Sequence, residues 1–193
     1  MDINNKNLNT ESNKIKRNSM IKKYMLEKML SNQNILRYIK YCTKSPLSTK
    51  SKDYSGNVVM QPDLTVDDIE DDITHLPFHQ DMEIKTKQYI FENIANGSFS
   101  NSNYIDIIIS VVTEAQFEDI SDGLRGACIS QEIANMFDNV YVTESEWVEE
   151  LGNIQFKLID YGEYRLSKSN NYILNKLTFR IILSPIDRVE KYL

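Results

Sequence analysis

Charge divides this chain into two unlike parts, and this division says more about the role of the chain than any catalytic motif does. Residues 1–52 carry a net charge of +9, whereas residues 53–193 carry −15. A basic arm on an acidic body can reach an acidic neighbour, such as another copy of the same body, or a polyanion. A compact soluble enzyme gains little from this separation. The charge pattern therefore favours a component of an assembly.

Length and cysteine content narrow the class of protein. The chain has 193 residues, which suits one domain of ordinary size plus an appendage. Its longest apolar run, residues 107–112, is far too short to span a membrane, and residues 1–6 do not resemble a secretory signal. Cys42 and Cys128 are the two cysteines. They lack metal-site or disulfide spacing, so we expect a reducing compartment.

The N-terminal region is predicted to contain a tail, two helices and an arm. Residues 1–18 are rich in Asn, Lys and Ser, and we predict a disordered basic tail because they cannot bury enough apolar surface. Residues 19–80 are predicted to hold two helices, the first beginning at Ser19 and the second near Ile35. Residues 45–63 then form a long extended connection, interpreted as an arm or interface loop.

Residues 81–193 are predicted to form an α+β body. The first predicted elements are a helix over 82–96, a strand over 104–112 covered on both faces, and a helix that begins after a cap at Ser121 or Asp122 and ends at Asn139. They are followed by a short helix after a capping box at residues 143–146 and by two strands over 154–158 and 177–183, joined by turns at 161–162 and 167–171. We therefore predict a small, mostly antiparallel sheet flanked by two helices, with a helical basic N-terminal arm region.

Two features suggest a metal site, and both lack the pattern that such a site requires. His75 and His79 are four residues apart, but Pro77 between them disfavours a regular helix, and no third ligand follows. The acidic run 67–72 lacks the alternating ligands, the glycine and the final glutamate of a calcium loop. We expect no metal and no cofactor. A small metal-dependent enzyme centred on the two histidines is the least favoured hypothesis.

Nucleophilic and phosphate-binding chemistry is also disfavoured. Cys128 lies on the inward stripe of its predicted helix, where a thiol packs as an apolar residue. The segment 122–126 holds two glycines but no phosphate-binding motif, and Asp122 would repel a phosphate. Gly126 is better explained by close approach of the helix backbone to the sheet. We therefore expect no enzymatic activity.

The basic N-terminal residues are the candidate assembly contacts. They are Lys14, Lys16, Arg17, Lys22, Lys23 and Arg37. The same residues could hold nucleic acid, with Tyr24, Tyr38 and Tyr41 stacking on bases. Against this alternative, the tyrosines lie in apolar helical stripes, and the acidic body would be brought close to phosphate. A contact with an acidic protein surface is the preferred interpretation.

The order of elements in the body resembles a known family. This order resembles that of the tail terminator and related neck proteins of tailed bacteriophages. It consists of a helix, a strand such as 104–112, a polar loop, a helix with Arg125 near its start, and closing antiparallel strands, the last of which contains Leu177–Arg180. The resemblance covers about residues 83–184. The long N-terminal region departs from the family pattern. A neck adaptor therefore remains an alternative to a tail terminator.

The resemblance implies a structural virion protein and no catalysis. Members of the tail terminator family form a ring, typically a hexamer, that caps the tail tube and joins the head connector. DNA passes through the acidic lumen of this ring. It implies copies of the chain, tail tube and connector as partners, no membrane, and a virion location after assembly in the host cytoplasm. Glu114, Glu118 and Asp119, in the predicted loop 113–121, become candidates for the lumen or a ring contact. The alternative is a nucleic-acid-binding accessory protein that uses the basic arm.

Overall fold

A computed structural model describes residues 11–69, 73–74, 88–96, 104–165 and 172–183. The helices are α1 (Glu11–Ser31), α2 (Gln33–Lys40), α3 (Arg125–Phe137) and α4 (Ser145–Leu151). The strands are β1 (Lys50–Lys52), β2 (Val58–Met60), β3 (Ile73–Thr74), β4 (Gln88–Asn96), β5 (Tyr104–Glu114), β6 (Asp119–Ile120), β7 (Gly123–Leu124), β8 (Ile154–Arg165) and β9 (Tyr172–Leu183). None of the helices in these ranges is long and apolar enough to cross a membrane.

The main sheet has five strands in the order β3-β4-β5-β9-β8. Every neighbouring pair is antiparallel except β3 and β4. α3 lies against β5, β9 and β8, and α2 packs on α3. Strands and helices share one hydrophobic core. The α+β class with a mostly antiparallel sheet is therefore confirmed.

An aromatic cluster fixes the first helix to the sheet. Phe137 of α3 lies 5.9 Å from Phe179 of β9, measured between ring centroids. Tyr24 of α1 stacks at 5.7 Å on Phe156 of β8 and meets Trp147 of α4 edge-on at 5.4 Å. Such aromatic pairs contribute beyond their buried area. Thus α1 is a structural layer of the core.

The N-terminal prediction was wrong in part. We expected residues 1–18 to be disordered, but α1 begins at Glu11, and Asn18 is buried. The apolar stripe of Ile21, Met25 and Met29 is fully buried, which holds the helix in place. Once a helix is anchored, extending it through Lys, Arg and Glu costs little free energy, because these residues have high helix propensity. Residues 1–10 and the predicted boundary at 80–81 lie outside the described residues.

The predicted helix over 82–96 is also wrong where the structure describes it. Residues 88–96 form β4, which pairs with β5 from Gln88↔Thr113 to Asn96↔Asp106. Ile90 and Ile94 have helical spacing, but the same parity also suits one face of a strand. Residues 88–96 form a strand rather than a helix because they pair with β5 along nearly the whole of β4. Residues 82–87 lie outside the described ranges.

The predicted strands at 104–112, 154–158 and 177–183 are confirmed as parts of β5, β8 and β9. Burial alternates over residues 104–109 and becomes continuous over 110–113, so the predicted cover on both faces holds for the second half of β5. The turn predicted at 161–162 is wrong, because both residues lie within β8. The other predicted turn, 167–171, falls outside the described ranges.

The two predicted helices of the body are present with different starts. α3 begins at Arg125, because residues 119–124 form the small β6–β7 hairpin, in which Gly123 adopts φ +130°. α4 is confirmed, but the predicted capping box is wrong. Glu144 is the N-cap residue, and its carboxylate binds Lys28 of α1. The predicted capping box is therefore absent, and Glu144 makes a tertiary ion pair with Lys28.

Residues 45–63 form an ordered hairpin where a long extended connection was predicted. β1 and β2 pair antiparallel, with Lys50 opposite Met60 and Lys52 opposite Val58. At the turn, the Asn57 side-chain amide donates to the Asp53 carboxylate, which also accepts the backbone N–H groups of Asn57 and Ser55. These bonds hold the pKa of Asp53 below its usual range. Short polar side chains commonly close turns in this way.

Candidate functional site

Arg125 joins the N-terminal helices to the body. Its side chain is fully buried, although Arg is rarely buried without partners. The guanidinium donates to four main-chain carbonyl oxygens, those of Phe117 (2.7 Å), Tyr38 (2.6 Å), Tyr41 (2.9 Å) and Thr43 (2.8 Å). These carbonyls belong to the end of α2, the segment after it and the turn before β6. Arg125 is thus a structural tie between distant parts of the chain.

A buried polar cluster lies beside Arg125. The Glu118 carboxylate accepts the backbone N–H of Gly126 at 2.9 Å, at the start of α3. Asn175 of β9 accepts a hydrogen bond from the Tyr161 hydroxyl at 2.7 Å. A Cβ at Gly126 would lie 2.2 Å from Asn175 Nδ2, so the predicted close approach of this glycine to the sheet is confirmed. A carboxylate is favourable at a helix N-terminus.

Two of the predicted surface contacts are therefore interior residues. Glu118 is 4% exposed, so it does not line a lumen in this conformation of the chain. Arg37 is 5% exposed and donates to the carbonyl oxygens of Pro46 (3.2 Å) and Ser48 (2.7 Å). Arg37 also pairs with Asp63 at 3.2 Å. It holds the base of the β1–β2 hairpin, and a role in assembly contacts is wrong for this residue.

The remaining predicted contacts stay on or near the surface. Lys16, Lys23 and Asp119 are exposed, whereas Arg17, Lys22 and Glu114 are half-buried. Lys23 pairs with Glu27 at 3.6 Å and lies 5.9 Å from the Trp147 ring centroid. Burial lowers the pKa of Arg17. Lys14 lies in α1, and its side chain is outside the described part of the structure.

Two of the three tyrosines considered for base stacking are buried. Tyr24 and Tyr38 are buried, and burial raises the pKa of Tyr24 to about 12 and that of Tyr38 further. Tyr41 is half-buried, and its hydroxyl donates to the carbonyl oxygen of Pro62 at 2.6 Å. Stacking requires an accessible ring face. The rings of Tyr24 and Tyr38 are therefore not accessible for base stacking in this structure.

The residues considered for metal binding and nucleophilic chemistry are described in part. Among them, no group of three His, Cys, Asp or Glu side chains could hold a metal ion, and His75 and His79 lie outside those ranges. Cys128 is half-buried against the core, as predicted. Burial raises the pKa of its thiol, which is the opposite of what a reactive thiolate needs.

One outer face of the β1–β2 hairpin combines positive charge with exposed apolar side chains. We call Lys50, Lys52, Val58 and Met60 the hairpin surface. All four are exposed, Val58 at 59% and Met60 at 66%. Within the described residues, the side chains of these two lysines make no hydrogen bond and no ion pair. Exposed apolar groups of this kind, flanked by charge, are typical of interaction sites.

The hairpin is held both at its turn, where Tyr54 lies, and at its base, where Gln61 lies. The Tyr54 ring meets Phe117 edge-on at 5.0 Å, and its hydroxyl donates to the Asp119 carbonyl oxygen at 3.1 Å. The Gln61 side chain donates to the Pro46 carbonyl oxygen at 2.8 Å, and its Oε1 accepts from the Thr43 hydroxyl at 3.1 Å. These bonds present the hairpin surface in a fixed orientation.

β8 is an edge strand with one covered and one open half. Its first half is covered by residues 138–142, since Val142 donates to the Ile154 carbonyl and Phe156 donates to the Val140 carbonyl. Beyond the irregularity near Ile159, no bond of this kind from a described residue covers the outer edge. We call the exposed residues of this half the β8 surface; they are Ile159, Asp160, Tyr161, Glu163, Tyr164 and Arg165.

Gly162 shapes the β8 surface. The Tyr164 ring lies over its backbone, and a Cβ at Gly162 would be 2.7 Å from the Tyr164 hydroxyl oxygen. Tyr164 remains 50% exposed and Tyr161 47% exposed. The glycine thus lets an aromatic ring lie flat along the strand. A sheet edge with exposed aromatic residues invites pairing with another chain.

Sequence reasoning missed both surfaces. The turn residues Asp53, Gly56 and Asn57 between two short runs could have indicated the hairpin. The β8 surface was hidden by the mistaken turn at 161–162. Without that turn, β8 extends to Arg165 and carries its aromatic residues to the sheet edge.

Comparison with known proteins gives one match. The model of a protein family described as YomW matches residues 32–181, which is most of the chain. The matched range includes α2, the hairpin, the whole main sheet up to Ile181, α3 and α4. No curated protein and no solved structure matches significantly.

Proposed function

The chain belongs to the YomW family, a phage-derived family, and on that premise we propose that this phage-associated protein is a structural virion component. In this proposal, copies of the chain form a ring, a hexamer by the resemblance described above, at the head–tail joint. The ring caps the tail and lets DNA pass. It acts through geometry and charge, without catalysis or a cofactor.

The observation that carries the proposal is the β8 surface. A lone soluble domain normally protects the edge of its sheet by covering it or keeping it short. β8 is instead twelve residues long, and its second half exposes Ile159, Tyr161 and Tyr164. A contact with a neighbouring chain would bury these side chains. Repetition of one such contact by rotation closes a ring.

The order of elements supports the proposal in part. β5, then α3 with its buried Arg125, then β8 and β9 follow the order that resembles the tail terminators. The helix expected before β5 is replaced by β4, so the resemblance loses its first element. The order of elements from β5 to β9 and the phage-derived family therefore support the proposal alongside the β8 surface.

Charge supports passage of DNA without retention. Residues 53–193 carry a net charge of −15, and lysine or arginine contacts with phosphate would hold the duplex in place. Glu114 and Asp119 remain the candidates for the lumen or a ring contact. The tail tube and the connector are the proposed neighbours, and the virion is the proposed location after assembly in the host cytoplasm.

The proposal is tested in the phage or prophage that encodes the chain. An early stop codon should yield DNA-filled heads and separate tails in negative-stain electron microscopy, and the intact gene supplied in trans should restore joined particles. Antibody-labelled gold on wild-type particles should mark the head–tail joint. Normal, infectious particles that lack the chain would refute the structural role. Label elsewhere on the particle would refute the location.

A further inference from the structure

We propose that the open half of β8 in one copy pairs, strand to strand, with the outer edge of β4 in a second copy of this chain. This inference rests on the proposed ring, and it identifies which part of the neighbouring copy covers the β8 surface. β8 lies at one end of the main sheet, and β4 lies at the other end beside the two-residue β3. Because the two edges differ, the contact is head-to-tail and can repeat until a ring closes.

The open half of β8 directs main-chain groups away from the sheet. In the covered half, the Ile154 carbonyl and the Phe156 N–H point to the outer edge, where they bond residues 142 and 140. The register with β9 then skips Ile159, which moves the outward direction from even-numbered to odd-numbered residues. The outward main-chain groups of the open half are therefore those of Tyr161, Glu163 and Arg165. They have no main-chain partner among the described residues.

β4 has an open edge that matches this half of β8 in length. Its inner edge pairs with β5, and on its outer edge β3 pairs with Ile90 and Phe91. No other strand among the described residues lies beside that edge, so residues 92–96 are open there. Residues 161–165 of β8 form a stretch of equal length. One register, with Arg165 opposite Glu92 and Tyr164 opposite Asn93, pairs the two stretches without overlapping β3.

The strand directions favour a second copy of this chain as the partner. β4, β5, β9 and β8 alternate in direction, because each neighbouring pair is antiparallel. β4 and β8 therefore run in opposite directions. A rotation about an axis along the strands preserves direction, so β4 of the next copy arrives antiparallel to β8. The alternation then continues across the contact, and the main-chain groups can pair as they do within the sheet.

Two other occupants fit the β8 surface less well. Pairing of β8 with β8 of a second copy is isologous, so it would close a dimer instead of repeating around a ring. A nucleic acid could bind Arg165, but Asp160 on one face of the strand and Glu163 on the other would repel phosphate. An added strand satisfies the main-chain groups of the edge, and its side chains extend the sheet on both faces.

The first test is oxidative cross-linking of the full chain. N93C and Y164C are combined in a chain whose two native cysteines, both half-buried, are replaced by alanine. Positions 93 and 164 lie on the same face of the sheet, as the register across its strands shows. Opposite residues of antiparallel strands lie close enough for a disulfide. The double variant should give a ladder of covalent oligomers on non-reducing gels, whereas either single variant should stay monomeric.

The matched control is N93C combined with K157C. Lys157 is exposed and lies opposite Arg180, on the same face of β8 as position 164, but it belongs to the covered half of the strand. This pair should give no ladder, because the proposed register keeps position 157 away from β4 of the next copy.

The second test is sedimentation velocity over a range of protein concentrations. Glu163→Pro removes an N–H that points away from β9, which an edge strand tolerates, but it takes a donor from the incoming strand. Self-association should weaken about tenfold, the effect of about one hydrogen bond. Glu163→Ala keeps the N–H and should associate within about threefold of wild type.

Circular dichroism should be unchanged in every variant, and if Glu163→Pro unfolds, the cross-link decides. Four results would overturn the inference: a wild type that is monomeric at every concentration, a double-cysteine variant without a ladder, Y164C chains that link to one another as dimers, or a folded Glu163→Pro chain that associates like Glu163→Ala. The particle experiment is independent, so loss of this contact leaves the head–tail role standing.

Discussion

Replacing Arg125 with methionine should destabilise the whole chain. Methionine has nearly the same length but donates no hydrogen bond, so the carbonyl oxygens of Tyr38, Tyr41, Thr43 and Phe117 would stay buried without the guanidinium. A buried polar group without a partner costs about 1–3 kcal/mol. At about 1 kcal/mol for each of the four, the expected loss is about 4 kcal/mol, out of a typical total stability of about 5–15 kcal/mol.

The assay is urea unfolding followed by circular dichroism and by Trp147 fluorescence. With a slope of about 2 kcal/mol per molar urea, the expected loss lowers the midpoint by about 2 M. Arg165→Met is the matched control, because Arg165 is exposed at the end of β8. The control midpoint should change by about 0.3 M or less, since surface substitutions usually change stability by about 0.5 kcal/mol at most.

Arg125→Lys separates charge from hydrogen-bond geometry. Lysine keeps the positive charge, but its single ammonium group does not reproduce the planar fork that reaches four carbonyls. We expect a midpoint between those of the wild type and Arg125→Met. If Arg125→Met loses less than about 1 kcal/mol relative to Arg165→Met, or if the lysine variant matches wild type, the structural role assigned to Arg125 is refuted.

Three further predictions follow from the core and its ion pairs. Gly126→Ala should lower the unfolding free energy by about 1–3 kcal/mol, because the new Cβ would meet Asn175; urea midpoints measure this. The hydrogen bond from Lys28 lowers the pKa of Glu144 in the folded chain below its usual 4.5. The stability that this ion pair contributes is therefore fully present above pH 4.5 and is lost as the pH falls through the lower pKa of the folded state. Lys28→Met should flatten the acid side of the stability–pH curve. Deletion of residues 1–44 should prevent folding, since it removes α1 and α2 from the core.

Control variants distinguish these specific effects from nonspecific destabilisation of the fold. Asn175→Ala combined with Gly126→Ala should cost less than the sum of the single changes, whereas an additive pair would contradict the clash. Lys44→Met, at an exposed lysine that makes no ion pair among the described residues, should leave the acid limb unchanged; an equal flattening would contradict the Lys28 assignment. Deletion of residues 1–10, which precede α1, should leave the chain folded, as judged by circular dichroism. A folded 45–193 fragment would show that α1 and α2 are dispensable.

The sequence alone determined the elements whose signals are local. Alternating apolar residues identified the buried parts of β8 and β9, and a β-branched run identified β5. Helical spacing of Ile21, Met25 and Met29 identified α1. In each case neighbouring residues specify both the element and the face that it buries, so the α+β class follows without knowledge of distant contacts.

The tertiary structure decided what depends on contacts between distant residues. Ile90 and Ile94 fit a helix as well as a strand, and only pairing with β5 made residues 88–96 a strand. Charge in the sequence marked Arg37 and Glu118 as surface residues, but their burial depends on carbonyl and N–H groups brought near by other elements. The hairpin and β8 surfaces are likewise defined by what the fold leaves uncovered. Local sequence sets propensity, whereas exposure is a property of the assembled chain.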